Sequence, residues 1–142
     1  MTVKAKSRSM LKQYEDHLED RLRLVEDAGA GVPAGAVYEL METTHLNKDF
    51  FAGILNISTK TLDRYRQGAK KLTPSGSEMV LKLFALFKKG EELFGTQEEF
   101  RKWIEKPAYG LGFRIPKAIM QTSSGLDLVM EELTRIEFGD LA

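Results

Sequence analysis

At 142 residues with no cysteine, the chain is long enough for one compact domain or two very small ones sharing a core, and a disulfide framework or thiolate zinc site is excluded. No apolar run approaches the roughly 20 residues of a membrane span, and the N-terminus lacks the apolar stretch of a signal peptide, so a cytoplasmic protein is expected. Net charge is zero but segregated: residues 1–12 hold four basic and no acidic side chains, 13–57 three against nine, 58–90 eight against two, and 91–142 six against ten. Clustered charge of one sign steers a polyanion whatever the total, which points to the segment 58–90.

Residues 1–12 are basic with little to bury, and disorder is expected there. From Tyr14 the pattern is helical, with Tyr14, Leu18, Leu22 and Val25 along one face. The stretch Gly29-Ala30-Gly31-Val32-Pro33-Ala34-Gly35 reads as the end of that helix and a hinge. A second helix is predicted from Ala34 to Thr43, with Val37, Leu40 and Met41 inward.

Lys48 to Gln67 has the layout of a helix-turn-helix. Phe51, Leu55, Ile57, Leu62 and Tyr65 are apolar where two helices must face each other, and Ala52 is small where they cross. Asn56 falls at the turn, where a left-handed backbone is needed and Asn tolerates it. Ser58 or Thr59 can cap the next helix. That helix, Ser58 to Gln67, is the expected recognition helix. With Leu62 and Tyr65 inward, Thr59, Lys60, Asp63, Arg64 and Gln67 lie outward, with side-chain types that suit base edges. Arg66, Lys70 and Lys71 are placed for phosphates, which position without specifying. Asp63 weakens a purely electrostatic grip, which favours a specific site over general coating of DNA. An ordinary solvated helix with a basic face is the plainer alternative.

Pro74 opens the longest predicted helix, with Ser75 and Glu78 at capping-box spacing and Gly95 as the stop after Phe94. Met79, Val80, Leu81, Leu83, Phe84, Leu86 and Phe87 cover more than one face, so the helix must be buried on most sides, as a spine or in a homodimer interface. Thr96 and Glu99 form another capping pair, opening a helix from Gln97 to Lys106 that carries Phe100, Trp103 and Ile104. A tight turn around Gly110 and Gly112 follows, with a helical restart at Pro116. Ser124 and Asp127 read as the capping box of a last amphipathic helix with Leu126, Val129, Met130, Leu133 and Ile136 on its apolar stripe.

Nothing in the pattern suggests catalysis. His17 and His45 sit singly, so no metal site is expected. The glycines of Tyr109-Gly110-Leu111-Gly112 belong to a turn, not to a phosphate loop after a strand. The pairs Glu91-Glu92, Glu98-Glu99 and Glu131-Glu132 are adjacent on helices, diverge, and read as solvated faces. No catalytic residue and no cofactor is assigned.

Trp103, Ile104, Pro107, Leu111, Gly112, Pro116, Gly125, Val129, Leu133, Ile136 and Gly139 stand in an order and spacing that resembles the C-terminal toxin-binding domain of the Xre/MbcA/ParS antitoxins, partners of RES-domain toxins. With the helix-turn-helix, the resemblance covers residues 32–142. The expected protein is all-α: a basic extension with one amphipathic helix over residues 1–31, read from charge and periodicity, then, within the resemblance, an Xre-like helix-turn-helix over 32–74 and a connecting helix and toxin-binding lobe over 75–142. The resemblance further implies a non-enzymatic antitoxin that neutralises a RES-domain toxin encoded by the neighbouring gene, a toxin that consumes NAD or transfers ADP-ribose from it. The complex would repress its own promoter by binding operator DNA, as a homodimer or larger assembly.

The expected mechanism is steric. Arg135, Phe138, Gly139, Asp140, Leu141 and Ala142 are the toxin-binding residues, the tail covering the NAD cleft. Asp140 and the terminal carboxylate would pair there with arginines that otherwise hold phosphates. Trp103, Pro107, Leu111, Gly112, Pro116 and Gly125 are assigned to architecture. Two other readings stay open: a stand-alone helix-turn-helix regulator whose C-terminal lobe dimerises, and a protein-binding module without DNA affinity.

Overall fold

The structure, a computed structural model, describes residues 9–139. Among them are eight α-helices: α1 (Arg21–Ala30), α2 (Gly35–Thr44), α3 (Lys48–Leu55), α4 (Thr59–Gln67), α5 (Pro74–Phe94), α6 (Gln97–Ile104), α7 (Pro116–Ile119) and α8 (Ser123–Glu137). Two 3-10 turns, Lys12–His17 and Tyr109–Leu111, complete the regular structure, and only isolated bridges pair extended backbone among the described residues. The fold is all-α, as expected. It forms two compact units, divided between Leu81 and Lys82 inside α5.

The first unit is built around α3 and α4. Asn47 caps α3 by accepting the Phe50 amide at 2.9 Å, and Ser58 caps α4 by accepting the Thr61 amide at 3.0 Å. Between them Asn56 takes the left-handed conformation expected of it, φ 58° and ψ 43°. This short reversal lets the two helices cross with Phe51, Ala52, Ile54 and Leu62 buried. Val37 and Leu40 of α2 are buried as predicted; Met41 is only half-buried.

Upstream, the structure departs from the periodicity. The helix expected from Tyr14 is broken, because Asp20 caps α1 by accepting the Leu22 and Arg23 amides. Tyr14 and Ala28 are buried, but Leu22 and Val25 are each 67% exposed. The glycine-rich segment is anchored, not a hinge. Gly31, at φ 93°, closes α1, after which the Val32 amide donates to Ser77 Oγ, the Leu72 amide to the Val32 carbonyl, and the Ala34 amide to the Lys70 carbonyl. Of residues 1–12, expected to be disordered, 1–8 lie outside the described residues. The Met10 and Leu11 amides both donate to the Glu39 carboxylate, and Leu11 is buried.

The second unit packs the C-terminal half of α5 with α6, α7 and α8. Phe87, Phe94, Phe100 and Trp103 form an aromatic cluster, with Phe87 edge-on to Phe100 at 5.2 Å and Trp103 stacked on Phe100 at 6.0 Å. Gly90 is required there, since a Cβ would come within 2.3 Å of the Phe100 ring. Lys82 bonds Ser123 and Asp127 at 2.7 and 2.8 Å, and Lys89 bonds Glu137 at 2.6 Å, so α5 is pinned to both ends of α8. Leu83, Leu86, Ile104, Met120, Leu126, Val129 and Leu133 fill the interior.

Two predicted capping boxes sit in another register. Thr73, not Ser75, caps α5 through the Gly76 amide, consistent with Pro74 in the first helical position. Thr122, not Ser124, caps α8 through the Gly125 amide at 3.0 Å, and Asp127 is engaged by Lys82 instead. Thr96 caps α6 as expected, and Gly95, at φ 96°, ends α5. The helix α6 stops at Ile104, two residues short of Lys106, since the residue before Pro107 disfavours the helical region.

Candidate functional site

The outer face of α4 carries three exposed cations, Lys60, Arg64 and Arg66. Leu62 is buried and Tyr65 half-buried, so Lys60, Arg64, Arg66 and Gln67 emerge on the solvent side, with Thr59 and Asp63 half-buried at the edge. Ser58 is engaged as the cap. Lys70 and Lys71 follow in the loop, Lys70 against the Tyr65 ring at 5.2 Å and Lys71 with its side-chain carbons against Gly31.

Asp63 does not simply oppose this charge. Its carboxylate accepts the Tyr38 hydroxyl from α2 and Lys48 Nζ from α3, the latter at 2.9 and 3.2 Å, while the Arg66 guanidinium lies 4.2 Å from the centre of the Tyr38 ring. The hydrogen bond from Tyr38, then the one from Lys48, holds the Asp63 carboxyl below the usual carboxylate range. Burial and the bond to Asp63 push the Tyr38 hydroxyl up to about 12. The pair is therefore a neutral phenol donating to an anion. Its charge is met inside the unit, and one face of α4 is tied to both α2 and α3. Sequence reading missed Tyr38 and Lys48, because the separation of 25 positions from Tyr38 to Asp63 leaves no local spacing to notice.

In the second unit the turn after α6 meets α8. The Glu132 carboxylate is buried, and its Oε1 accepts Arg135 Nε at 3.0 Å and Nη2 at 2.6 Å. Arg135 Nη2 also lies 3.5 Å from the Gly110 carbonyl. Glycine at 110 leaves room for this carboxylate: a Cβ there would come within 2.0 Å of Glu132 Oε1 and displace it from its present position. The expectation that Glu131-Glu132 is a solvated pair thus fails for Glu132, whose side chain is turned inward by Arg135.

Of the residues assigned to architecture, Leu111 is buried, Gly112 takes φ 66°, and Pro116 is buried in the first position of α7. Trp103 belongs to the aromatic cluster, and Pro107 is exposed. At Gly125 a Cβ would come within 1.6 Å of the Ile119 carbonyl oxygen, which fixes the close approach of α7 and α8. Phe138, three residues after Arg135, is 74% exposed, and Gly139 turns the chain at φ 77°. Asp140, Leu141 and Ala142 lie outside the described residues. Among the described residues no group of His, Asp and Glu could hold a metal ion, and no helix is long and apolar enough to cross a membrane.

Two family models match this arrangement. The antitoxin Xre-like helix-turn-helix domain matches residues 23–85, and the antitoxin Xre/MbcA/ParS C-terminal toxin-binding domain matches residues 89–139. The chain belongs to the Xre-type antitoxins. Antitoxin Xre of Photorhabdus laumondii is 26% identical over 110 residues, spanning 77% of this chain and 74% of the relative. Antitoxin Xre of Yersinia enterocolitica is 29% identical over 84 residues, spanning 58% of this chain and 57% of the relative. Xre antitoxins are non-enzymatic regulators that pair a helix-turn-helix with a toxin-binding domain, and the α4 face and the α8 lobe fall in those two matches respectively.

Proposed function

We propose that this antitoxin neutralises a RES-domain toxin encoded by the neighbouring gene, covering the toxin's NAD site with the end of α8 and the residues after it. The observation that carries the reading is the state of the α8 C-terminus. Phe138 is exposed one helical turn after Arg135, at the edge of the matched toxin-binding domain. Aromatic rings are enriched at protein interfaces, so one exposed at the end of a toxin-binding domain is a natural contact for the partner. Arg135, Phe138, Gly139, Asp140, Leu141 and Ala142 then form the inhibitory end, with Asp140 meeting toxin arginines as a phosphate would. The helix-turn-helix represses the operon: Lys60, Arg64 and Gln67 reach base edges, and Arg66, Lys70 and Lys71 hold phosphates. The working form is cytoplasmic, a homodimer or a larger toxin–antitoxin assembly.

The test is co-expression with the neighbouring reading frame and an assay of NAD loss. Intact antitoxin should copurify with the toxin and preserve NAD. Removing residues 138–142 should abolish protection while leaving the thermal midpoint in place. Undiminished inhibition by the truncated chain would sink the steric mechanism.

A further inference from the structure

We propose that Tyr109 and Phe113 form a rigid aromatic anchor that inserts into an apolar recess on the toxin, next to the contact made by the end of α8. Both rings are exposed, 72% and 65%, and lie edge-to-face at 5.4 Å. Neither contributes to the core, so packing of this chain does not explain them.

The backbone beneath them is fixed. The Leu111 and Phe113 amides donate to the Ala108 carbonyl, the Gly112 amide to Tyr109, the Arg114 amide to Leu111, and the Ala108 amide back to Arg114 at 3.0 Å. Closing this loop puts Phe113 at φ 63°, a left-handed conformation that a bulky side chain rarely adopts and that glycine or asparagine would take without strain. The chain thus holds a phenylalanine where its backbone disfavours one, and leaves its ring in solvent. Strain kept for an exposed ring points to recognition. The Arg135 contact with the Gly110 carbonyl braces the turn from α8, and Arg135 and Phe138 are neighbours one helical turn apart. The turn that carries the rings is thus tied through Arg135 to the last turns of α8. It also lies within the matched toxin-binding domain, which is why the toxin is the chosen occupant. Rings held in the binding conformation lose little freedom on association, a property of interface hot spots.

This inference rests on the toxin-neutralising reading, and its test separates the two. The full chain and its Tyr109→Ala and Phe113→Asn variants would be titrated against the purified toxin, with the tail truncation alongside. Asparagine suits the left-handed backbone, so Phe113→Asn removes the ring without unfolding the turn. Each ring variant should weaken toxin affinity roughly 30-fold, as loss of a central aromatic anchor does. The thermal midpoint should stay at the wild-type value for Tyr109→Ala and should not fall for Phe113→Asn, which relieves the backbone strain, while operator affinity and sedimentation stay at wild-type values for both. Affinity within about twofold of wild type while the intact chain binds tightly would overturn the anchor and leave the tail mechanism standing. A changed oligomeric mass at unchanged toxin affinity would overturn it too, making the turn a self-association surface. An intact chain that does not bind the toxin would overturn both readings.

Discussion

A carboxylate on a helix meant to meet phosphates looks misplaced until the partners of Asp63 are counted. Tyr38 and Lys48 both donate to it, and Arg66 lies over the Tyr38 ring, so Asp63 ties α4 to α2 and α3 along its inner edge. The titration follows from these contacts. Asp63 has a depressed pKa in the folded state, so its contribution to stability is present above the ordinary value of 3.8 and is lost as pH falls through the lower folded value. Tyr38 has a raised one, so its contribution is present below the ordinary 10.0 and is lost as pH rises toward about 12. Tyr38→Phe removes the largest cause of the Asp63 shift and leaves the Lys48 contact. Carboxyl carbon NMR should then show the Asp63 pKa moving up toward its ordinary value while remaining below it. An unmoved titration curve would mean that Lys48 alone sets the value.

At the scale of the element, the turn between α3 and α4 is the most sharply determined part of the fold. Ser58 accepts the Thr61 amide and its hydroxyl donates to Thr61 Oγ1, so the first turn of α4 is closed by one side chain. Ser58→Ala should lower the unfolding free energy by about 1 kcal/mol in urea titration, the usual worth of an N-cap. Operator affinity should weaken alongside it if α4 is the reading helix, because fraying starts where its base-facing residues begin. Features of this kind were legible because they are local. Asn56, Gly95, Thr96 and Pro116 each impose a backbone state on themselves or a near neighbour. What was not legible depends on partners far along the chain. The Ser124–Asp127 spacing is a sound capping box in isolation, yet Lys82, 45 residues from Asp127, takes the carboxylate and Thr122 takes the amide. Leu22 and Val25 repeat as a buried stripe should, but Asp20 restarts the helix and turns them outward. Glu132 looked solvated because nothing near it in sequence announces that Gly110 leaves room for its carboxylate. Nothing in the sequence marks Tyr109 and Phe113, and only their exposure and the φ of Phe113 single them out.

For the whole molecule, the question is whether operator binding responds to total charge or to where the charge sits. The chain carries 21 basic and 21 acidic residues, so a uniform field would offer DNA no attraction. Of the eight basic side chains in 58–90, Lys82, Lys88 and Lys89 lie in the second unit and pair with Asp127, Glu92 and Glu137, which leaves Lys60, Arg64, Arg66, Lys70 and Lys71 on and just after α4, where Asp63 is already met by Tyr38 and Lys48. Binding should therefore be steeply salt-dependent in spite of the neutral total, since each phosphate neutralised releases counterions and adds roughly 0.9 to the slope of log affinity against log salt. Lys70→Ala, at a side chain proposed to hold a phosphate, should lower the slope by about 1 and weaken all sequences alike. Lys60→Ala, at a proposed base contact, should instead cost more on operator than on random DNA. Lys102→Ala provides the contrast: this side chain lies in the second unit and pairs with Glu99 at 3.3 Å, yet it removes the same unit charge. If placement governs, the slope for Lys102→Ala stays at the wild-type value. If all three variants shift it equally, the antitoxin meets DNA through its overall field, and the α4 face loses its claim to be the reading surface.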